Sequence, residues 1–354
     1  MADTKTAVSV IIPAYNVEKQ IACAVKSLKA QTLADFECII VNDGSTDGTE
    51  AAAREAIGAD KRFSLLTQSN MGAPAARNRG IRLASGEYLF FFDGDDSAEP
   101  EAISEMYAAA KGGGLDLLIA GFFIDTYDGG KLCKTQTILP KSKMYKSAED
   151  FRRDTPELFD TNLLYTPWNK LYRREFLVKN AILFPDTYWD DFPFNLSVIR
   201  SASRFGTLEK AFYHFNRARG ESETAKWRAD IYQKREEEHG WLTDLYSEWG
   251  MNDEKTTEFL SRRYVERFVG CIENEMEKAN PKSLAEKRSA VLQMLANPRL
   301  APALKAAKPR SAMMKLMLLP LRLRSVFLCC AEGSFIAAVK RGKGGLFARL
   351  KAAR

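Results

Sequence analysis

Gly86-Glu-Tyr-Leu-Phe-Phe-Phe-Asp93-Gly94-Asp95-Asp96 decides how this chain is read, because a run of apolar residues ends abruptly in three carboxylates. Tyr88 to Phe92 read as a buried strand, bounded by Gly86 and Gly94. Carboxylates crowded at a strand end repel one another and resist ionising together unless a cation or a ring of donors compensates them. Hard divalent cations such as Mg2+ or Mn2+ take oxygen ligands of this kind, so the spacing suggests a metal that holds a phosphate. The same residues also fit an acidic turn in which Asp93 and Asp96 cap a following helix whose start is marked by Pro100.

Working outward, the first third of the chain alternates short apolar runs with helical periods, the pattern of a parallel sheet with crossover helices. Val8–Ile12 reads as a strand, and Asn16 as the N-cap of a helix over 17–30 whose buried face carries Ile21, Val25 and Leu28. Phe36–Val41 is a second strand, running into the turn Asn42-Asp43-Gly44-Ser45-Thr46-Asp47-Gly48, where Asp47 is the better capping candidate. Phe63–Thr67 is a third, and Pro74 fits the first turn of the helix that ends before Gly86. Polar clusters thus sit at the carboxyl ends of three strands: Pro13-Ala14-Tyr15-Asn16, Asn42-Asp43-Gly44 and Asp93-Gly94-Asp95. In an open parallel sheet the ligand crevice lies at those ends, so loops far apart in sequence are expected to meet around one ligand.

After Gly112-Gly-Gly114 the alternation loosens, with a strand near Asp116–Phe122 and a hairpin through Asp128-Gly-Gly130. Residues 1–225 are expected to form one catalytic domain of α/β class, 226–304 a helical appendage and 305–354 a basic amphipathic tail. Trp241, Leu245 and Trp249 recur at helical spacing and read as core packing.

Composition bounds the function. The chain has 354 residues, 45% of them hydrophobic, which is enough for a sizeable core. Its formal charge of +6 is uneven: residues 305–354 carry twelve Lys or Arg against the single acid Glu332, leaving 1–304 acidic. A nucleic-acid-binding protein would not normally confine its excess charge to one terminal segment beside a Leu/Met run, so the asymmetry points to a membrane surface or an acidic partner. Six cysteines show neither a C-x-x-C pair nor a disulfide framework and read as reduced thiols. Two histidines, His214 and His239, are too few for histidine-centred metal or Ser-His-Asp chemistry and read as structural or surface residues. The start lacks a secretory pattern, and no window reaches the roughly 18 apolar residues of a membrane span.

Five ordered motifs carry a resemblance. Val8-Ser-Val-Ile-Ile-Pro-Ala-Tyr-Asn16, Ile-Val41-Asn-Asp43-Gly-Ser-Thr46-Asp47-Gly, Asn70-x-Gly72, Ala76-Arg77-Asn78-x-Gly80 and Phe92-Asp93-Gly-Asp95-Asp96 resemble family 2 glycosyltransferases of the GT-A fold. The likeness covers residues 7–220, and Trp168-Asn-Lys170-Leu-Tyr172-Arg-Arg-Glu-Phe resembles bacterial members that build surface polysaccharides. It implies a Rossmann-like, mostly parallel sheet flanked by helices, with an α-helical C-terminal extension. It further implies transfer of a sugar from a nucleoside-diphosphate donor to an acceptor hydroxyl, with inversion at the anomeric carbon and with Mg2+ or Mn2+.

Residue by residue, the resemblance has Asp43 bonding the nucleobase, for which an acceptor-only carboxylate suits the imide N–H of uracil, so a UDP-sugar is the expected donor. Pro13, Ala14 and Tyr15 would line base and ribose, with Glu18, Arg77 and Gly94 contributing to donor binding. Asp93 would contact ribose or metal, Asp95 would be the direct metal ligand, and Asp96 a weaker candidate. The run Tyr188-Trp189-Asp190-Asp191-Phe192-Pro193 matches the family's acidic pair, with Asp191 as the base and Asp190 as the acceptor-orienting residue, shortened from the commoner glutamate. The two also fit helix caps, Asp43 also fits a turn residue and Arg77 a solvated helix residue. In the loop after His214, Arg217 or Arg219 would reach the diphosphate.

Residues 311–330 combine strong hydrophobicity with Lys315, Arg322 and Arg324, and Pro320 interrupts the helix, which suits lying in an interface better than crossing it. Phe335-Ile336 and Leu346-Phe347 continue the pattern among Lys340, Arg341, Lys343, Arg349 and Lys351. The tail is expected to dock on anionic lipid at the inner face of the plasma membrane, where a lipid-linked or growing glycan acceptor would be met, or to pack as a helix on the catalytic domain. A cytoplasmic, peripheral protein follows. The competing readings are a nucleotidyltransferase, which would want a Gly/Arg/Lys-rich phosphate loop after the first strand, and a non-catalytic binding subunit, against which the intact Asp43, Asp93, Asp95 and Asp191 speak.

Overall fold

Strands β1 (Val8–Ala14), β2 (Phe36–Asp43), β3 (Phe63–Gln68) and β4 (Tyr88–Phe91) lie side by side in the order β3-β2-β1-β4, all parallel. Helices α1 (Ile21–Lys29), α2 (Thr49–Ile57) and α3 (Ala73–Leu83) make the crossovers. β1 and β4 are covered on both faces, which is why they read as unbroken apolar runs. The close fit of α3 on β1 requires Gly80, since a Cβ there would stand 2.3 Å from Ile11 Cγ2. The computed structural model describes residues 6–187, 189–218 and 227–342, divided into two compact units, 1–222 and 223–354.

The rest of the first unit comprises β5 (Ser97–Ala98), α4 (Ala102–Gly112), β6 (Leu117–Asp128), β7 (Lys131–Ile138), β8 (Lys143–Met144), α5 (Ala148–Asp160), β9 (Lys170–Arg173), α6 (Arg174–Lys179), α7 (Asp191–Ser201) and β10 (Phe205–Ala218). The sheet is mixed: beyond β4 come β9, antiparallel to both neighbours, then β6 and β10, which are parallel to each other. The hairpin joining β6 and β7 turns on Gly129 and Gly130 at φ 57° and 78°, the left-handed pair that a two-residue turn needs. Phe91 anchors the centre, its ring 5.4 Å from Tyr172, 4.9 Å from Phe184 and 5.6 Å from Phe194.

One expected boundary is corrected. α1 begins at Ile21 and not at 17, because Asn16 takes φ 52° and its side chain accepts from the Thr46 N–H at 2.9 Å. Asn16 therefore ties the loop after β1 to the loop after β2 and caps nothing.

The second unit is helical: α8 (Ile231–Glu248), α9 (Glu254–Glu275), α10 (Leu284–Leu295), α11 (Leu300–Ala306), α12 (Ala312–Met317), α13 (Leu319–Arg322) and α14 (Val326–Gly342). Asp253 caps α9, and Ser283 with Glu286 forms a capping box on α10. Val265, Phe268, Val291, Leu300, Met314, Leu321 and Cys329 belong to one core, so residues on both sides of position 304 pack together. No helix among the described residues is long and apolar enough to cross a membrane.

Candidate active site

The carboxyl ends of β1, β2 and β4 bring Pro13, Ala14, Tyr15, Asp43, Asp93, Gly94 and Asp95 to one edge of the sheet. Tyr15 is 47% exposed there, while Ala14 and Gly94 are buried beneath it. Glu18 is exposed and accepts from the Gly48 N–H at 3.1 Å. Asp47 caps α2, accepting from the Thr49 N–H and hydroxyl. Asp43 is buried at 2% exposure and accepts from Gln68 Nε2 at 2.7 Å, Met71 N–H at 3.0 Å and Gly72 N–H at 2.7 Å. These bonds fix the loop between β3 and α3; Gly44 allows its approach, with φ 70° and no Cβ to strike Asn70 N.

Arg77, expected to contribute to donor binding or to be solvated, is instead a buried hub among three acids, a role the sequence reading did not give it. Its guanidinium lies on the buried face of α3, 3.0 Å from Asp93 Oδ1, 2.9 Å from Asp190 Oδ2 and 3.2 Å from Asp191 Oδ1, and 5.2 Å over the Phe184 ring. Burial alone would lower its pKa, but Asp191, Asp93 and Asp190 together hold it well above the ordinary value. The available signal was positional: Ala76, Arg77, Gly80 and Ile81 form one buried helical face, and a buried arginine demands carboxylate partners. The next residue, Asn78, exchanges two hydrogen bonds with the Phe184 backbone at 2.7 and 2.8 Å and so pins the segment leading to Asp190. Neighbouring residues of α3 thus hold both the loop and its acids.

Asp190 and Asp191 open α7. Asn195 locks that start by donating to the Asp191 carbonyl, and Tyr172 donates to Asn195 Oδ1 at 2.7 Å. Trp189 precedes the pair at φ 61°, a left-handed conformation that costs a bulky residue energy and that the surroundings must enforce. Asp191 Oδ1 is buried and accepts no hydrogen bond despite its ion pair with Arg77, although a third of the side chain remains open to solvent. Desolvation is the main reason its carboxyl is pushed up to about 7; Arg77 opposes this, and Asp190 and Asp93 add to it. Asp190 is pushed up as well, by burial first. Lys170, fully buried on β9, donates to Asn169 Oδ1 and the Thr166 carbonyl, and burial drives its pKa well down.

The acidic run divides by environment. Asp96 is tied into the structure: Tyr213 Oη and the Asn216 N–H donate to it at 2.7 Å each, and it is 1% exposed. Asp95 is exposed; Asn216 Nδ2 donates to its backbone carbonyl at 3.0 Å, and none of the described side chains donates to its carboxylate. Desolvation in the crevice and the Asp93 charge push it up to about 6. Among the described residues no three acidic, His or Cys side chains gather to hold an ion by themselves. Mg2+ and Mn2+ nevertheless fit, because such ions take one or two carboxylates and complete their shell with water and substrate phosphate, and among the described residues no cationic side chain pairs with the Asp95 carboxylate. His214 links Asp125 and Glu99 at 2.7 and 2.9 Å and stacks on Phe123, a structural role. Arg217 is exposed at the end of β10, whereas Tyr188, Arg219 and the tail from Lys343 onward, with Leu346, Phe347, Arg349 and Lys351, lie outside the described residues.

Residues 9–180 match the family model described as "Glycosyl transferase family 2". The uncharacterized glycosyltransferase EpsJ of Bacillus subtilis is 34% identical over 212 residues, 58% of this chain and 60% of that protein. The cholesterol galactosyltransferase of Borreliella burgdorferi is 31% identical over 215 residues, 59% of this chain and 60% of that protein. The chain therefore spans about 60% of the length of these relatives. Among solved structures, residues 1–349 of S. aureus TarS superpose with a TM-score of 0.62 at 20% identity, over 95% of this chain and 92% of that one. The same TarS fragment has been solved with UDP-GlcNAc. With its parallel β1–β4 half, its acidic strand ends and this match, the sheet-bearing first unit has the GT-A fold, and its residues 9–180 are similar to glycosyl transferase family 2.

Proposed function

We propose that the chain transfers a sugar from a UDP-sugar to an acceptor hydroxyl with inversion, Asp191 serving as general base. The observation that carries this is the Arg77 bridge, which ties Asp93, beside the donor-side acid Asp95, to the acidic pair at the start of α7. Tyr15, Asp43, Gly94 and Glu18 belong to the donor side, with Asp43 able to accept from a uracil imide through lone pairs its three donors leave free.

In the proposed reaction the acceptor hydroxyl gives its proton to Asp191 as its oxygen bonds to the anomeric carbon, and the bond from that carbon to the diphosphate oxygen breaks on the opposite face. A base poised near neutrality suits this transfer. Asp190 orients the acceptor, and Arg77 holds both acids in register. Asp95, with Asp93 beside it, would hold Mg2+ or Mn2+, which offsets the charge growing on the departing nucleoside diphosphate. Pro13 and Ala14 close the floor under base and ribose.

The acceptor is proposed to be a lipid-linked or surface glycan met at the inner face of the membrane, in keeping with the basic tail; a relative named for cholesterol as acceptor supports a lipid-borne hydroxyl. A nucleotidyltransferase is disfavoured because Pro13-Ala-Tyr-Asn16 supplies no phosphate loop, and a non-catalytic subunit because the acids are intact. Thermal shift with a panel of nucleotide sugars and Mn2+ tests the donor: stabilisation by a UDP-sugar is expected, and stabilisation by none of the panel rejects it.

A further inference from the structure

We propose that α12, α13 and the outward side of α14 form a docking surface for an anionic lipid bilayer. Phe327 and Phe335 stand 67% and 63% exposed on α14, and Leu316, Leu319 and Leu323 stand 63%, 47% and 59% exposed along α12 and α13. At 100° per residue, Phe327, Leu328, Ala331, Ser334, Phe335 and Ala338 share one side of α14, and all are exposed. That side carries no charge over three turns, while the opposite side buries Cys329, Cys330, Ile336 and Ala337. A solvent-facing helix side ordinarily carries charge, and a contiguous exposed apolar face marks an interaction site. Leu316, Leu319 and Leu323, at intervals of three and four, extend the apolar side chains through α12 and α13.

Charge selects the occupant. Residues 287–331 contain no Asp or Glu, and the exposed Lys315, Arg322 and Arg324 are immediate sequence neighbours of the exposed leucines. A second copy docked by the same patch would set these cations against their own images. A bilayer accepts both: the apolar side chains enter the acyl boundary while the long basic stems reach up to lipid phosphates. The inference rests on the membrane-side reading of the acceptor and is independent of the donor chemistry.

The test sediments the full chain with phosphatidylcholine vesicles and with mixed phosphatidylcholine and phosphatidylglycerol vesicles, following UDP-sugar binding in the same samples. Binding to the mixed vesicles, weakened by salt, is expected. Phe327→Ser with Phe335→Ser should weaken it roughly tenfold or more, and Arg322→Gln with Arg324→Gln by about fivefold per charge. Both double variants alter exposed residues, so melting temperature and UDP-sugar binding should stay at the parent values. Absent binding, equal binding to neutral vesicles, or unchanged binding by the Phe variant would each overturn the proposal. So would a concentration-dependent dimer, without vesicle binding, that the Phe variant dissolves. Vesicle binding without UDP-sugar binding supports the surface and rejects the donor reading.

Discussion

Arg77→Met removes the charge at the centre of the site while keeping a similar apolar stem beside Phe184. The side chain is 7% exposed and faces Asp190 at 13%, Asp93 at 28% and Asp191 at 32%. Taking one partner from a buried ion pair costs about 3–5 kcal/mol, because the remaining charges are left without compensation. Asp190 supplies most of that cost, and solvent screens the shares of Asp93 and Asp191. The effect has a pH signature. Asp191 sits at about 7 in the folded chain, above its unfolded value, so the folded state holds the extra proton and its contribution to stability falls as pH rises toward 7. Arg77 opposes that rise, and without it Asp190 and Asp191 move further up, so the destabilisation should be greatest at about pH 8 and shrink at about pH 5. Urea denaturation at the two pH values, with hydrogen exchange of peptides from β4 and α7 assigning the transition, measures this. A loss below about 1 kcal/mol, the size of a surface pair, or one equal at both pH values would refute the electrostatic role.

Asp191→Asn should cut turnover by on the order of 10²-fold or more while leaving UDP-sugar affinity within a fewfold by calorimetry; full activity would reject the base. In the parent chain kcat/KM should rise with pH and level off above about 7, as Asp191 loses its proton, and a profile flat across neutrality would contradict that assignment. Asp95→Ala should abolish the Mn2+ dependence of UDP binding, whereas Asp96→Asn should chiefly lower stability through the lost partners Tyr213 and Asn216, both readable by thermal shift with and without the ion.

The parallel half of the sheet was legible because β1, β2 and β4 are buried on both faces and their apolar runs end in polar residues. Three of the five family motifs were legible for the same reason, since they lie at the strand ends. The partners of Arg77 were not, because one arginine in a helical stretch does not say which acids will meet it until α3 is docked on β1. Asn16 misled because capping chemistry and long-range loop bridging use the same side-chain oxygen. Spacing alone does not separate Asp93, Asp95 and Asp96, which only the resemblance ranks; Tyr213, over a hundred residues away, donates to Asp96 and leaves the Asp95 carboxylate open. β9 enters antiparallel from a segment of mixed aromatic and charged residues whose pairing depends on partners distant in sequence, and no local period announces it.

The central claim is that acids from the end of β4 and the start of α7 work on two sides of one donor molecule. A crystal structure with UDP and Mn2+ tests it most directly. The account predicts the ion on Asp95, the diphosphate above Gly94, and the Asp191 carboxylate facing the space where an anomeric carbon would follow the β-phosphate. A nucleotide seated away from the β1, β2 and β4 strand ends, or an Asp191 walled off from that space, would contradict it.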